Sequence, residues 1–107
     1  MGKAHRLAEA QRLEDIPNIG PSMADDLRAL GIDAPAELRG RDATGLYLQL
    51  CALTGLRQDP CVLDTFIAAV AFAEHDDARP WWDFTAQRKR DWPAVEARLP
   101  ADLRRMR

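Results

Sequence analysis

A chain that reads Ile16-Pro17-Asn18-Ile19-Gly20-Pro21 and then sets apolar residues at helical spacing has few folds open to it. Pro21 has no N–H and a fixed φ, which suits the first turn of a helix and little else. Ile19, Met23, Ala24, Leu27, Leu30 and Ile32 follow at intervals of one to four residues and define one buried helix face. Gly31 is a C-terminal stop. Upstream, Leu7, Ala8, Ala10 and Leu13 can form the apolar face of a preceding helix, expected over residues 4–14. Helix, tight turn and helix are therefore expected, with Gly20 in a backbone geometry that a β-branched residue would resist.

That arrangement is a helix-hairpin-helix element. It resembles the hairpin of X-family DNA polymerases and many repair proteins, whose pattern is apolar-x-Gly-Ile-Gly-Pro-x-x-Ala-x-x-apolar. Ile16, Ile19, Gly20, Pro21, Ala24 and Leu27 match it, and Asn18 stands in place of the first glycine.

The rest of the chain extends this plan. Met1 to Lys3 read as a frayed terminus. Asp33 reads as an N-cap, with Pro35 and Glu37 in a short connector helix over 34–39 that Gly40 stops. Asp42 caps a helix over 43–54 that ends at Gly55. Asp59-Pro60 opens a longer helix over 60–75, whose Val62, Leu63, Phe66, Ile67, Val70, Ala71 and Phe72 make a broad buried stripe. Shifting the chain by about 39 positions aligns Pro21, Ala24 and Leu27 with Pro60, Leu63 and Phe66, a weak internal repeat. The second turn, with Asp59 where the first has Gly20, reads as structural, because a phosphate cradle does not favour a carboxylate at its mouth. No segment alternates with a period of two, so no strand is expected. Leu27, Leu50, Leu63, Phe66 and Ile67 are the expected core.

After Ala78 the texture changes to Arg79-Pro80-Trp81-Trp82-Asp83-Phe84-Thr85. Asp83 or Thr85 can cap a short helix, and Trp92-Pro93 and Leu99-Pro100 punctuate the remaining residues. The fold class is thus all-α: a tandem helix-hairpin-helix (SAM-domain-like) bundle of about five helices. It divides into a domain over 4–77 and a Trp-rich C-terminal extension over 78–107 packed on it. At 107 residues the chain suits one small domain.

Three pieces in order, IPNIGP with its LGI stop, LYLQLC through DPCVLDTF, and RPWWDFTAQRK, resemble the small bacterial pathogenicity-locus family of helix-hairpin-helix proteins. Its members are sometimes labelled mitomycin-resistance proteins. The resemblance spans roughly residues 13–90 and implies the fold and a connection to DNA, but no reaction.

Charge sets the terms for function. The formal net charge is −2, so no global field draws the chain to nucleic acid. Residues 86–107 nevertheless carry +4, leaving −6 on the rest. In the wider hairpin family the turn holds a DNA phosphate, which here implicates Asn18, Ile19, Gly20, Ser22 and Met23, with amides at a helix start where anions are favoured. The same resemblance implies a monovalent cation, K+ or Na+, on the backbone carbonyls of Glu14, Ile16 and Ile19. Arg79, Arg88, Lys89 and Arg90 beside Trp81, Trp82, Phe84 and Trp92 form a second, basic candidate surface, which could stack bases or simply lock the extension to the core. Against binding, Asp25 and Asp26 stand where DNA-binding relatives often have Lys or Arg. At about 8 Å in water each repels a phosphate by roughly 0.5 kcal/mol. The helix terminus offsets about 0.3–1 kcal/mol.

Cys51 and Cys61 make no disulfide framework and read as small core residues with reduced thiols, which fits a cytoplasmic protein. Cys61 lies in a first helical turn that would lower its pKa, with Asp59 and Asp64 opposing. His75, Asp76 and Asp77 read as a solvated helix end. No nucleophile–base set or phosphate loop is visible, so no enzyme is expected. The leading expectation is weak, sequence-independent DNA binding, as an accessory to DNA repair or stress. A protein-interaction adaptor on the same fold is the alternative, and a cysteine-dependent redox enzyme is a third class.

Overall fold

Three prolines and four capping positions account for the helical framework. In the computed structural model, which describes residues 2–104, Pro21 opens α1 (Pro21–Ala29) and Pro60 opens α3 (Pro60–His75), each at the first helical position. Asp42 caps α2 (Ala43–Thr54) by accepting the Thr44 amide at 3.1 Å, and Asp59 caps α3 by accepting the Cys61 amide at 2.8 Å. Gly31 and Gly55 take φ of +85° and +68° after α1 and α2, the left-handed step that ends a helix. Pro35–Leu38 forms a 3₁₀ turn between α1 and α2. α4 (Thr85–Ala97) and α5 (Ala101–Arg104) complete an all-α chain of five α-helices, with no strand among the described residues.

α3 is the central helix, packed against α2, α4, the Pro35–Leu38 turn and the Trp81–Phe84 turn. Leu63, Phe66, Ala69, Phe72 and Ala73 on its inner face join Leu27, Ile32, Leu38, Tyr47 and Leu50 in one core. The positions aligned by the internal repeat, Ala24 and Leu27 with Leu63 and Phe66, are all fully buried. Ile67 departs from the expected core: it is only half-buried, on the side of α3 that lines a surface groove.

Other expectations also fail, those before α2 because carboxylates accept backbone amides. Residues 4–14 do not form one helix but two 3₁₀ turns, Leu7–Glu9 and Leu13–Asp15. Carboxylates take the amides that a helix would use. Glu9 accepts from His5, Asp15 from both Gln11 and Arg12, and Asp76 from Leu7 at 2.7 Å. Asp76, expected to be solvated, thus anchors the N-terminal arm. Likewise Asp33 does not cap the connector. Its own amide donates to Glu37, and Ala34 occupies the N-cap. Neither Asp83 nor Thr85 caps a helix. Pro93 does not interrupt the chain either: α4 runs through it, forgoing the bond to the Lys89 carbonyl.

Packing across α4 explains that tolerance. Val95, Leu99 and Leu103 are buried in the same core as α3, and the half-buried Trp92 meets Tyr47 edge-on at 5.9 Å. Arg57, after α2, pairs with Glu96, donates to the Arg104 carbonyl at 3.1 Å and lies over the Trp92 ring at 5.6 Å. Most telling is Asp64 on α3, a carboxylate with no solvent exposure. It accepts the Thr85 hydroxyl at 2.7 Å and the Arg88 Nε at 2.8 Å, so α3 and α4 are joined through a buried ion pair. Arg105 and Arg107, part of the basic tail by sequence, lie outside the described residues.

Three stability measurements check this packing. Phe66→Ala removes a fully buried ring and is expected to destabilise by about 3–5 kcal/mol in chemical denaturation. Asp64→Ala leaves the Arg88 guanidinium buried without its partner and is expected to cost a similar 3–5 kcal/mol or so. Arg90→Ala, on an exposed neighbour, should stay within about 0.5 kcal/mol. Equal effects at Asp64 and Arg90 would show that the ion pair does not fasten α4.

Candidate functional site

The turn between Leu13–Asp15 and α1 is held by its own apolar residues. Leu13, Ile16 and Ile19 are fully buried, and the Ile19 amide donates to the Ile16 carbonyl at 3.1 Å. The strained residue in this turn is Asn18, with φ of +75°. Gly20, expected to be the special position, has φ −90° and ψ −177°, ordinary extended backbone. A Cβ built there meets nothing within 4 Å. The left-handed step therefore falls where the hairpin pattern has its first glycine. Asn is among the few residues with a side chain that tolerate it, and that tolerance is the signal in the sequence that could have located it.

Asn18 also does more than turn the chain. Its Nδ2 donates to the Arg79 carbonyl at 3.0 Å and its Oδ1 accepts the Trp81 amide at 3.2 Å. Both ends of one side-chain amide thus clamp the Arg79-Pro80-Trp81 segment against the turn. The turn and the start of the basic segment, read separately from the sequence, therefore adjoin at Arg79–Trp81.

Across that surface the residues divide. Pro21 and Ser22 are exposed at the start of α1, and the glycine at its N-cap has no side chain to cap the amides of Ser22 and Met23. The Ile19 amide is already bonded within the turn, and the Ile19 side chain is core. Trp82 stands out with 62 % of its surface exposed, edge-on to the half-buried Trp81 at 5.7 Å. Phe84 is buried beneath the Arg79 guanidinium, 4.7 Å from its ring centre. So the four rings divide into one exposed, two half-buried and one buried.

The basic residues divide as well. Arg88 turns inward to Asp64, with 11 % of its side chain exposed, and leaves the exposed basic set. Arg79 is held by Asp77 at 2.8 Å, and those bonds keep the Asp77 carboxyl below its usual range. Lys89 and Arg90 are exposed on α4. Among the acids, Arg28 bridges Glu14 at 2.7 Å and Asp25 at 3.1 Å, so part of the negative field at the turn is compensated. The Arg28 hydrogen bond holds the Glu14 carboxyl low. Asp26 is half-buried, and burial, then the Asp25 charge, pushes its carboxyl up.

Cys51 is fully buried. At Cys61 burial, followed by the hydrogen bond and charge of Asp59, pushes the pKa up, so the helix start does not win. His75 is exposed, and no group of three or more His, Cys, Asp or Glu side chains among the described residues could hold a metal ion. One feature without a sequence signal is a groove of about 240 Å³ at the start of α2, lined by Arg41, Asp42, Thr44, Ile67, Arg88 and Asp91, among others. Its walls come from three helices, so no local pattern announces it. No helix among the described residues is long and apolar enough to cross a membrane.

The two turn positions should respond in opposite ways to substitution. Gly20→Ser places a favoured N-cap residue in open space and is expected to be neutral or stabilising by up to about 1 kcal/mol. Asn18→Val forces a β-branched residue to positive φ and is expected to cost about 1–3 kcal/mol from strain alone, before the two lost hydrogen bonds. Asn18→Gly keeps the turn and removes only the clamp, which a change in tryptophan emission from Trp81 should register. A destabilised Gly20→Ser beside an unaffected Asn18→Val would reverse the assignment.

The family described as Cdd1, pathogenicity locus, matches residues 6–90, from the N-terminal arm to the basic segment of α4. A protein of Streptomyces lavendulae named mitomycin resistance protein McrB is 43 % identical over 83 residues, covering 78 % of this chain and 79 % of its own length. No solved structure matches. With residues 6–90 inside the match, from the N-terminal arm through the turn at Ile16 to the Trp-containing segment, the chain belongs to the Cdd1 pathogenicity-locus family.

Proposed function

We propose that this protein is a helix-hairpin-helix protein that binds DNA weakly and without sequence preference, as an accessory to DNA repair or stress tolerance. The observation that carries the reading is the Asn18 clamp, which joins the turn before α1 to the segment that bears Trp82. A phosphate at the start of α1 would meet the Ser22 and Met23 amides and the positive end of the helix dipole. An unpaired base next to it would find the exposed Trp82 ring, and stacking on an aromatic face tolerates any base. Lys89 and Arg90 add charge on α4. The compensation of Asp25 and Glu14 by Arg28 lessens the repulsion expected from the sequence. A relative named for resistance to mitomycin is in keeping with a role under stress.

A second reading rests on a different surface. Leu53 and Leu56, on either side of Gly55, are 60 % and 55 % exposed, and such residues are the usual material of a protein contact. Under this reading the same fold is an adaptor that binds a protein partner and no DNA.

Binding assays with single-stranded, duplex and branched DNA across a salt series separate the two. Contact with about two or three phosphates gives a duplex salt slope of about −2 to −3, with Kd roughly 10⁻⁴–10⁻⁶ M near physiological salt. Lys89→Ala with Arg90→Ala should flatten the slope by about one for each phosphate left without its cation. Trp82→Ala should weaken single-stranded binding by about 1–3 kcal/mol and duplex binding less. Asp25→Lys should tighten binding. If the wild type does not bind at low salt and Asp25→Lys creates no binding, the hairpin does not face DNA and the adaptor reading stands.

A further inference from the structure

The hairpin resemblance implies a metal cation on the carbonyls of Glu14, Ile16 and Ile19, and the geometry around those carbonyls does not fit one. The ammonium of Lys3 donates to the Glu14 and Ile19 carbonyls, 11 and 16 positions away in the chain. The Ile16 carbonyl accepts the Ile19 amide. Each of the three oxygens is therefore engaged, two of them by the same charged nitrogen.

We infer that Lys3 is the resident cation of this turn, a tethered ammonium in the place of K+ or Na+. The chemistry allows the exchange. An ammonium brings one positive charge and up to three donors to carbonyl oxygens, and a monovalent ion offers the same charge without the directionality. The tether is held at two points after Lys3. The Ala4 amide donates to the Asp15 carbonyl at 2.9 Å, and the Leu7 amide donates to Asp76 at 2.7 Å. These bonds lay the N-terminal arm across the turn and leave Lys3 over its carbonyls. Glu14 and Asp15 are hydrogen-bonded by Arg28 and by the amides of Gln11 and Arg12, and although the Lys3 charge is felt at Asp15, the hydrogen bonds of the ammonium go to backbone carbonyls. A turn stabilised in this way needs no free metal ion. Removing the ammonium turns the Glu14 and Ile19 carbonyls into a site that a free monovalent cation can fill.

The test is independent of DNA binding. The full chain, without an N-terminal tag, is melted as wild type and as Lys3→Met in potassium, sodium and choline chloride at equal ionic strength. The wild type should melt at the same temperature in all three. Lys3→Met should lose several degrees in choline chloride, and potassium or sodium should restore a large part of the loss. In parallel, the carbonyl ¹³C resonances of Glu14 and Ile19 should move on addition of potassium in Lys3→Met and stay fixed in the wild type. Three outcomes overturn the inference. If Lys3→Met melts with the wild type in choline, Lys3 has no part in the turn's energetics. A wild type that itself gains stability from potassium has its carbonyls filled by the metal. A loss that neither metal ion restores, with unmoved carbonyl resonances, means that the oxygens form no cation site.

Discussion

The buried contact of Asp64 with Thr85 and Arg88 is the constraint on which the rest of the arrangement depends. A carboxylate with no exposure is stable only if its charge is met and its oxygens are hydrogen-bonded. Both partners come from the first turns of α4, so the carboxylate on α3 fixes where α4 begins and how it is rotated. With that rotation set, Trp92, Val95 and Leu99 fall against the core, Lys89 and Arg90 face solvent, and Pro93 sits on an exposed face where its missing N–H does least harm. The extension is therefore part of the core rather than an appendage to it. Its basic character is reduced at Arg88 because that charge is used inside.

In the N-terminal arm hydrogen bonding by carboxylates outweighs helix propensity. The run from Ala4 to Glu14 has an apolar pattern, yet Glu9, Asp15 and Asp76 bind its amides and break it into 3₁₀ turns. A continuous helix would have carried Lys3 away from the turn. The broken arm instead folds back over it. Asn18 acts in the same way on the other side, where it satisfies a carbonyl and an amide of a segment that is itself too short and proline-rich to pair its own backbone. Lys3 and Asn18 thus brace the turn from two directions, and the turn's geometry is shared between side chains distant in sequence.

These bonds decide what the surface can offer a partner. Arg88 and Arg79 are largely spent, Phe84 and Ile19 are buried, and Trp82, Ser22, Lys89 and Arg90 remain at the surface. Under the DNA-binding proposal, Lys89, Arg90 and one exposed ring would contact a few phosphates and would not give tight or specific recognition. The exposed pair Leu53 and Leu56 belongs to a different part of the molecule, at the end of α2, so the two functional readings are separable by mutation.

The sequence by itself determined the class of fold and the limits of α1, α2 and α3. Their signals are local: Pro21 and Pro60 at first turns, Asp42 and Asp59 at caps, Gly31 and Gly55 at stops, and apolar stripes that bury Leu27, Leu50 and Phe66. The Asn18 position was half-legible, since an asparagine where the hairpin pattern has glycine is compatible with positive φ. Only the tertiary structure decided the site. Arg88 meets Asp64 across 24 positions, Asn18 meets Arg79 and Trp81 across 61 and 63, and Lys3 meets Ile19 across 16. Periodicity and capping are properties of neighbours in the chain, whereas whether a charge points to solvent or to a buried partner depends on which helix is packed beside it. That is why the helices could be read in order from the residues, while the surface they leave exposed could not.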